Sequence, residues 1–227
     1  MALILGFSTS TPLGSVAIVG PDGPIAEATH EALAAHAERL FGLVDDVIAR
    51  AGAPRDSIAA VACDVGPGSF TGVRVGVASA AGVAAALGVP GIGVGSLASM
   101  AHAALARAAR REAITRVVAV LDAKKDEIYL GVFDPALTPI EPAKHVSRSD
   151  ASRELMRLVE DPQTLVAGCI ASELGVALES ERHPRGRGID LPAAASIAEV
   201  ARGLLEQSSS APLEPVYVRE PDAKPSW

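Results

Sequence analysis

The sequence predicts an α/β protein made of two related halves, and three observations lead to this prediction. Short apolar runs alternate with amphipathic helices, and the order of three strands, a helix, a strand and a helix occurs twice. Between Ala59 and Leu87 a buried strand, a glycine-rich loop and an apolar helix follow one another. Finally, 49% of the 227 residues are hydrophobic and the mean hydropathy is +0.30. The chain can therefore bury a core large enough for one big domain or two small ones.

The first half begins with two predicted hairpins and a helix. The strands lie at Leu3 to Phe7, Ser15 to Val19 and Ile25 to Thr29, and polar or glycine-containing segments separate them. From His36 to Ala51 apolar residues recur at helical spacing, and a glycine and a proline after them end the helix. The glycine-rich unit follows, so we expect this helix and the next to lie side by side.

The second half repeats this order, which places a boundary near residue 112. The remaining predicted elements are strands at Pro90 to Val94, Val117 to Leu121, Ile128 to Phe133, Ile140 to Val146 and Leu165 to Ala167, and helices capped by Ser96, from Asp150 to Val159 and from Ser196 to Gln207. We expect residues 1–112 to form one subdomain and residues 113–227 a second one with a Pro-rich tail. The basic segment Arg182 to Gly188 is predicted to be a solvated loop, and in the tail only Val216 to Val218 is predicted to dock.

The glycine-rich loop is a candidate binding site for an anion or a nucleotide. Gly66, Gly68 and Gly72 permit positive φ angles and a close approach of the backbone, and Ser69 and Thr71 are natural caps for the helix that follows. Such a loop points backbone N–H groups at whatever lies above the start of the helix. The alternative is a well-capped turn with no ligand, because strand, glycine loop and helix occur widely in α/β proteins.

The helix after this loop has almost no polar face. From Gly72 to Leu87 only Arg74 and Ser79 are polar, and the segment is too short for a comfortable membrane anchor. We therefore expect it to pack on its own sheet with one face and on another helix or protein with the other; the alternative is a fully internal helix. The residues expected at the partner contact, on this helix and the preceding one, are Leu40, Leu43, Val44, Val47, Val73, Gly76, Ser79, Ala80 and Val83.

Composition excludes several classes of function. The chain has only seven aromatic residues and a net charge of −7, which argue against strong independent binding of nucleic acid. Cys63 and Cys169 both lie in apolar surroundings, so neither a disulfide scaffold nor a cysteine metal site is expected. The N-terminus shows no basic region followed by a long apolar segment. We expect a cytoplasmic protein that does not enter a membrane.

Four motifs resemble the bacterial TsaB (YeaZ) family: ILGFSTSTPLGSVAI at the start, GPGSFTGVRVG in the middle, LDAKKDEIY in the second half and PVYVR near the end. The resemblance implies an actin/sugar-kinase/Hsp70-like (ASKHA) fold with a reduced second subdomain. It also implies a role in forming N6-threonylcarbamoyladenosine next to the tRNA anticodon, as a noncatalytic partner of a TsaD-like transferase and a TsaE-like ATPase. By the same resemblance we expect a homodimer when the chain is alone, contact with tRNA only through the complex, and no cofactor.

Two departures from the catalytic relatives support a noncatalytic role. The fold usually carries an aspartate after its first strand, where this chain has Ser8, and a hydroxyl cannot replace a carboxylate that holds Mg²⁺-bound water. Those relatives also bind metal through two histidines four residues apart, where this chain reads Gly95 to Met100 without a histidine. A phosphotransferase of the same fold and an M22-type glycoprotease remain as alternatives, and the missing histidines count against the second.

Two acidic residues in the second half allow either a catalytic or a structural interpretation. Asp122 and Glu127 flank a predicted hairpin, and they are either paired acids or parts of a turn, with the turn favoured. Ser69 does not match the nucleophile elbow of serine hydrolases, because Phe70 and Thr71 break its spacing. No catalytic residue is therefore predicted.

Overall fold

A computed structural model describes residues 2–31, 36–209 and 211–218, and the side chains of residues 36 and 37 are not described. The first sheet has the order β3-β2-β1-β4-β5 and consists of Leu3–Ser8 (β1), Leu13–Gly20 (β2), Gly23–Glu31 (β3), Ile58–Asp64 (β4) and Gly91–Val94 (β5). The second has the order β8-β7-β6-β9 and consists of Arg116–Lys124 (β6), Glu127–Phe133 (β7), Pro139–Ser147 (β8) and Thr164–Ala167 (β9). The helices are His36–Ala51 (α1), Phe70–Leu87 (α2), Ser96–Arg107 (α3), Arg148–Val159 (α4) and Ala194–Glu206 (α5).

The two sheets share one topology, as the repeated sequence order predicts. In each sheet the first strand pairs antiparallel with the second and parallel with the fourth, so β1 and β6 are equivalent central strands. The second half is reduced. Where the first half has the long helix α2, the second has a short 3₁₀ helix at Cys169–Leu174 and an irregular segment up to α5.

Helices α3 and α5 each pack against the sheet of the other half. The apolar face of α3, with Leu97 and Met100, packs against the second sheet, whereas Ile197 and Ala198 of α5 pack against the first. The close approach of α5 depends on Gly6 in β1, because a Cβ atom there would lie 2.3 Å from the Ala194 carbonyl oxygen. Each sheet is thus covered by a helix from the other half. The division at residue 112 separates the strands of the two sheets, but as a boundary between subdomains it stays a prediction.

Several element ends differ from the predicted ones. Ser69 caps α2 as expected, whereas Thr71 lies inside the helix and is not a cap. Ser96 is the first residue of α3 and does not cap it; its hydroxyl donates to the Ser10 hydroxyl instead. The cap of α4 is Ser147, whose Oγ accepts from the Asp150 amide at 3.1 Å, so this helix begins two residues earlier than predicted.

The segment Arg182 to Gly188 is not the solvated loop that its charge suggests. The guanidinium group of Arg182 donates to the carbonyl oxygens of Val159 and Asp161 at 2.7 and 2.9 Å. Arg187 pairs with Glu27 of β3 at 3.0 Å and so ties the second half to the first sheet. The prediction was wrong because sequence shows charge but not the carbonyl groups and carboxylates that lie opposite it.

Candidate docking face and glycine loop

Helix α2 has one buried face and one exposed face; the buried face is apolar, and the exposed face is apolar apart from Thr71 and Arg74. Val73, Val77, Ala80 and Ala84 are buried in the core of the first sheet. The opposite face is exposed; it carries Phe70 at the first residue of the helix, and the small residues Ala78, Ala81, Gly82 and Ala85 follow. Phe41 of the adjacent α1 is 54% exposed beside it. We call this surface, made of Phe41, Phe70, Ala78, Ala81, Gly82 and Ala85, the docking face.

The structure corrects most of the predicted partner-contact residues. Six of the nine are buried in this chain's own core: Leu40, Val44, Val47, Val73, Gly76 and Ala80. Side chains with almost no exposed surface cannot contact a partner directly, so they support the two helices instead. The other three, Leu43, Ser79 and Val83, are half-buried at the flank of the exposed surface. A partner contact through these two helices stays a prediction, and most of the residues named for it face this chain's own core.

Gly76 shows why the face was misassigned. A small residue in an apolar helix favours close contact with some neighbour, and here the neighbour lies within the chain. A Cβ atom at Gly76 would lie 2.1 Å from the Thr9 hydroxyl and 3.0 Å from the Cys63 sulfur. By contrast, nothing lies within 4 Å of a Cβ atom placed at Gly82, on the docking face.

A groove between α1 and α2 widens the docking face. It has a volume of about 210 Å³ and is lined on one side by Phe41 and Ile48 and on the other by Val83 and Ala86. Asp45 and Arg55 lie at its rim and form an ion pair with each other at 3.4 Å. An apolar groove with paired charges at its edge is suited to an apolar side chain from another protein.

The glycine loop uses its backbone groups within the chain. The Ser69 amide donates to the Ser10 carbonyl oxygen at 2.7 Å, and the Gly72 amide donates to the Ser69 hydroxyl at 3.2 Å. Gly68 packs against Ser10, and a Cβ atom at Gly66 would lie 2.5 Å from the Val216 carbonyl oxygen of the tail. Amides that already donate internally are not available to a phosphate. An anion or nucleotide site at Gly66, Gly68, Ser69, Thr71 and Gly72 therefore stays a prediction that these contacts do not favour.

A buried carboxylate lies beside this loop, and the sequence analysis missed its role. The fully buried Asp64 accepts hydrogen bonds from the Ser8 hydroxyl at 2.9 Å, the Thr9 amide at 3.1 Å and the Ser10 amide at 3.2 Å. These donors offset the cost of burying the charge. Because β1 and β4 are parallel neighbours, their carboxyl ends meet, and a carboxylate ending one apolar strand beside hydroxyls ending the other was the available signal. Asp64 thus links the end of β4 to Thr9 and Ser10, the residues that follow β1.

Asp122 and Glu127 each lie beside a basic partner of their own, which favours the turn over a pair of acids. The Lys124 ammonium is 2.7 Å from Asp122, and His145 is 3.0 Å from Glu127. Burial raises the pKa of Asp122, but hydrogen bonds from Lys124 and the charges of Lys124 and Arg148 outweigh it, so this pKa lies below its ordinary value. The strands extend to Lys124 and from Glu127, so the connection is a two-residue turn.

With this geometry established, comparison with known proteins decides the family. The family model described as "TsaD: tRNA N6-adenosine threonylcarbamoyltransferase" matches residues 29–156, more than half of the chain. The tRNA threonylcarbamoyladenosine biosynthesis protein TsaB of Escherichia coli (strain K12) is 30% identical over 222 residues, which cover 95% of this chain and 94% of that protein. The chain belongs to the TsaB family.

Solved structures agree with the TsaB assignment and confirm the fold. YeaZ from Pseudomonas aeruginosa matches with a TM-score of 0.74 and 26% identity over 96% of this chain and 100% of that chain. The inorganic polyphosphate/ATP-glucomannokinase from Arthrobacter sp. strain KM matches with a TM-score of 0.53 and 14% identity over 91% of this chain and 100% of that chain, which shows a shared fold alone. The ASKHA-like fold expected from the resemblance is therefore confirmed.

The segment Gly95 to Met100, where the catalytic relatives are expected to carry two metal-binding histidines, contains no histidine in this chain. Ser96 and Ser99 are buried at the start of α3, and the Ser99 hydroxyl donates to the Ser96 carbonyl oxygen at 2.8 Å. Within residues 2–31, 36–209 and 211–218, the histidine, cysteine and acidic side chains form no group of three or more that could hold a metal ion.

Helix α2 is also, in the described part of the chain, the one helix with the length and apolar composition to cross a membrane. Core helices of soluble proteins meet the same criterion. A third of this helix is buried inside the protein, and its inward face packs against the first sheet. The helix is therefore a packed element of the first half, and its outer face is exposed and mostly apolar.

Proposed function

We propose that this chain is the noncatalytic partner subunit in the formation of N6-threonylcarbamoyladenosine in tRNA, and that its docking face holds a TsaD-like catalytic subunit. Membership of the TsaB family supports a role in forming this nucleoside, since the E. coli relative is named for its biosynthesis. The observation that supports the docking role is the exposed face of α2, where none of the described elements covers Ala78, Ala81 and Ala85. An apolar surface of this kind marks a contact with another protein, and its small side chains let a partner helix approach closely.

The chain contributes no catalytic group of its own in this proposal. Ser8 stands where the fold has a carboxylate, and the nearby Asp64 is saturated by three donors from β1 and the loop after it. Ser96 and Ser99 cannot supply imidazole ligands. A carboxylate that is fully buried and already hydrogen-bonded is poorly placed to bind Mg²⁺. The transfer chemistry then belongs to the TsaD-like subunit.

The remaining partners follow from the same role. In the absence of the TsaD-like subunit, two copies of this chain cover each other's docking faces, so homodimer and heterodimer compete for one surface. A TsaE-like ATPase acts on the pair, and tRNA is contacted through the complex because the chain carries a net charge of −7. All of these steps take place in the cytoplasm.

Ala81→Glu tests the docking role. The side chain of Ala81 is exposed, so the substitution leaves the fold intact but places an unpaired carboxylate in the centre of the apolar contact. We expect loss of the complex with a TsaD-like subunit and loss of tRNA modification in a reconstituted reaction. Ala106→Glu, at an exposed alanine on α3, is the matched control and retains both activities. If Ala81→Glu assembles and modifies tRNA like the wild type, the docking face lies elsewhere.

A further inference from the structure

Arg74 is the one charged residue of α2, and it lies on the edge of an apolar face. Its neighbours along the exposed side of the helix are Phe70, one turn before it, and Ala78, one turn after it. Among the described residues Arg74 forms a hydrogen bond with Tyr217 but no ion pair with a carboxylate. A surface that is to be covered by a partner rarely retains a charge without a counter-charge, because an unpaired buried guanidinium is costly.

The Arg74 side chain is held in place by two aromatic rings. Its guanidinium carbon lies 3.8 Å from the centre of the Phe70 ring and 5.8 Å from that of Tyr217, and its Nε donates to the Tyr217 hydroxyl at 2.9 Å. The two rings are themselves in contact, with centres 5.2 Å apart. The bond to Tyr217 uses Nε, and among the described residues neither terminal nitrogen has a hydrogen-bond acceptor, while the two rings fix the direction of both.

Tyr217 is in turn fixed by the chain segment that precedes it. The Val216 amide donates to the Val65 carbonyl oxygen at 2.7 Å, and the Gly93 amide donates to the Ala211 carbonyl oxygen at 3.0 Å. The segment from residue 211 to residue 218 thus runs along the edge strand β5 and past the glycine loop to the start of α2. Two parts of the sequence 143 residues apart build one exposed cluster.

We propose that Arg74, positioned by Phe70 and Tyr217, is the charged anchor of the docking face and receives a carboxylate of the TsaD-like subunit. A planar fork with two free terminal nitrogens matches a carboxylate in a bidentate pair. Because the fork is already ordered, forming that pair costs little side-chain entropy. A phosphate group is a weaker candidate, since the amides of Ser69 and Gly72 beside it donate within the chain.

This inference rests on the proposed function, and its predicted effects are separate from those of Ala81→Glu. The measurement is the Kd for a purified TsaD-like subunit from the same organism, by titration calorimetry, with unfolding curves for each variant. We expect Arg74→Ala to weaken binding about tenfold or more, as for an interface anchor. Arg74→Lys keeps the charge but loses the planar guanidinium group, so its Kd should lie between those of the wild type and Arg74→Ala. Tyr217→Phe removes only the positioning hydroxyl, and we expect a loss of about threefold to tenfold.

Controls distinguish the possible failures. Arg153→Ala, at an exposed arginine on α4 away from this face, keeps the wild-type Kd. A scan of the partner's Asp and Glu residues to Asn and Gln should find one whose effect is not additive with Arg74→Ala. If the Kd of Arg74→Ala stays within twofold of the wild-type value while Ala81→Glu abolishes binding, the anchor role is wrong but the docking face is supported. If Ala81→Glu also has no effect, the docking face itself is wrong. Binding of inorganic phosphate that depends on Arg74, with an unchanged Kd for the subunit, would also overturn the proposal.

Discussion

The two halves of the chain begin with the same arrangement of strands but complete it in opposite ways. After β4 the first half continues into α2, an 18-residue helix whose outer face is apolar and exposed. After the equivalent strand β9 the second half has a six-residue 3₁₀ helix, Cys169–Leu174, and an irregular segment. Several charges on and around this second connection are paired within the chain: Arg185 with Asp190, and Arg148 of α4 with Glu173.

This difference leaves an apolar face exposed in the first half, whereas the second half pairs several of its surface charges. Exposed ion pairs contribute little to stability, but they leave a surface that water can cover. The face around Ala81 and Ala85 has no such pairs, and it becomes favourable only when another apolar surface covers it. The proposed docking role therefore falls on the first half. Three sets of substitutions test the comparison.

The largest effect is expected at Gly76, on the inward face of α2. Gly76→Val places a Cβ atom 2.1 Å from the Thr9 hydroxyl, and the cost in unfolding free energy should reach about 3 kcal/mol because Thr9 and Cys63, which it meets, are short, fully buried side chains with no room to move. Gly82→Ala on the outward face is the matched control; it meets nothing within 4 Å and should stabilise the protein by up to about 1 kcal/mol. Denaturant unfolding measures both. Similar effects at the two glycines would contradict the assignment of the faces.

An intermediate effect is expected from the carboxylates that order a loop in each half. Asp64→Ala leaves the buried amides of Thr9 and Ser10 without an acceptor, and we expect a loss of about 3 kcal/mol. Asp134 accepts from the amides of Ala136 and Thr138 at 2.9 and 2.8 Å in an exposed turn, so Asp134→Ala should cost about 1 kcal/mol. Equal costs in chemical unfolding would show that Asp64 is not buried as described.

The smallest effect concerns His102 and Glu199, which lie 3.6 Å apart where α3 crosses α5. Burial, with the charges of Arg111 and Arg202, lowers the pKa of His102 below its ordinary 6.5. The unfolded chain then binds more protons between the lowered value and 6.5, so stability should rise with pH across that window and level off above it. Burial also raises the pKa of Glu199 above its ordinary 4.5. Above pH 4.5 the folded chain then binds more protons at this group than the unfolded chain, so this contribution to stability should fall as the pH rises.

Substitution isolates the histidine contribution to this profile. In His102→Gln the rise in stability towards pH 6.5 should disappear, while the part of the curve due to Glu199 remains. The measurement is the midpoint of urea unfolding at half-unit steps from pH 4.5 to pH 7.5. A rise that persists in His102→Gln would show that another group titrates in this window.

Most elements of the fold were predictable because they depend on local patterns. The bounds of α1 coincide with the predicted His36 to Ala51, and the predicted strands of both sheets lie within the observed ones apart from single terminal residues. The packing partners of the helices were not predictable in the same way. An apolar stripe shows that α3 and α5 are covered on one side, but nothing in it shows that each covers the sheet of the other half.

The sequence by itself determined the two repeated halves, the apolar helix after the glycine loop and the family to which its motifs belong. These features depend on the spacing and type of residues that are near one another in the sequence, so they can be read from it directly. Only the tertiary structure decided which face of α2 is exposed, because Gly76 and Gly82 are the same residue and differ only in whether Thr9 lies opposite. It also brought Tyr217 to Arg74 and Asp64 to Ser8, since contacts between distant segments depend on strand order and not on local pattern.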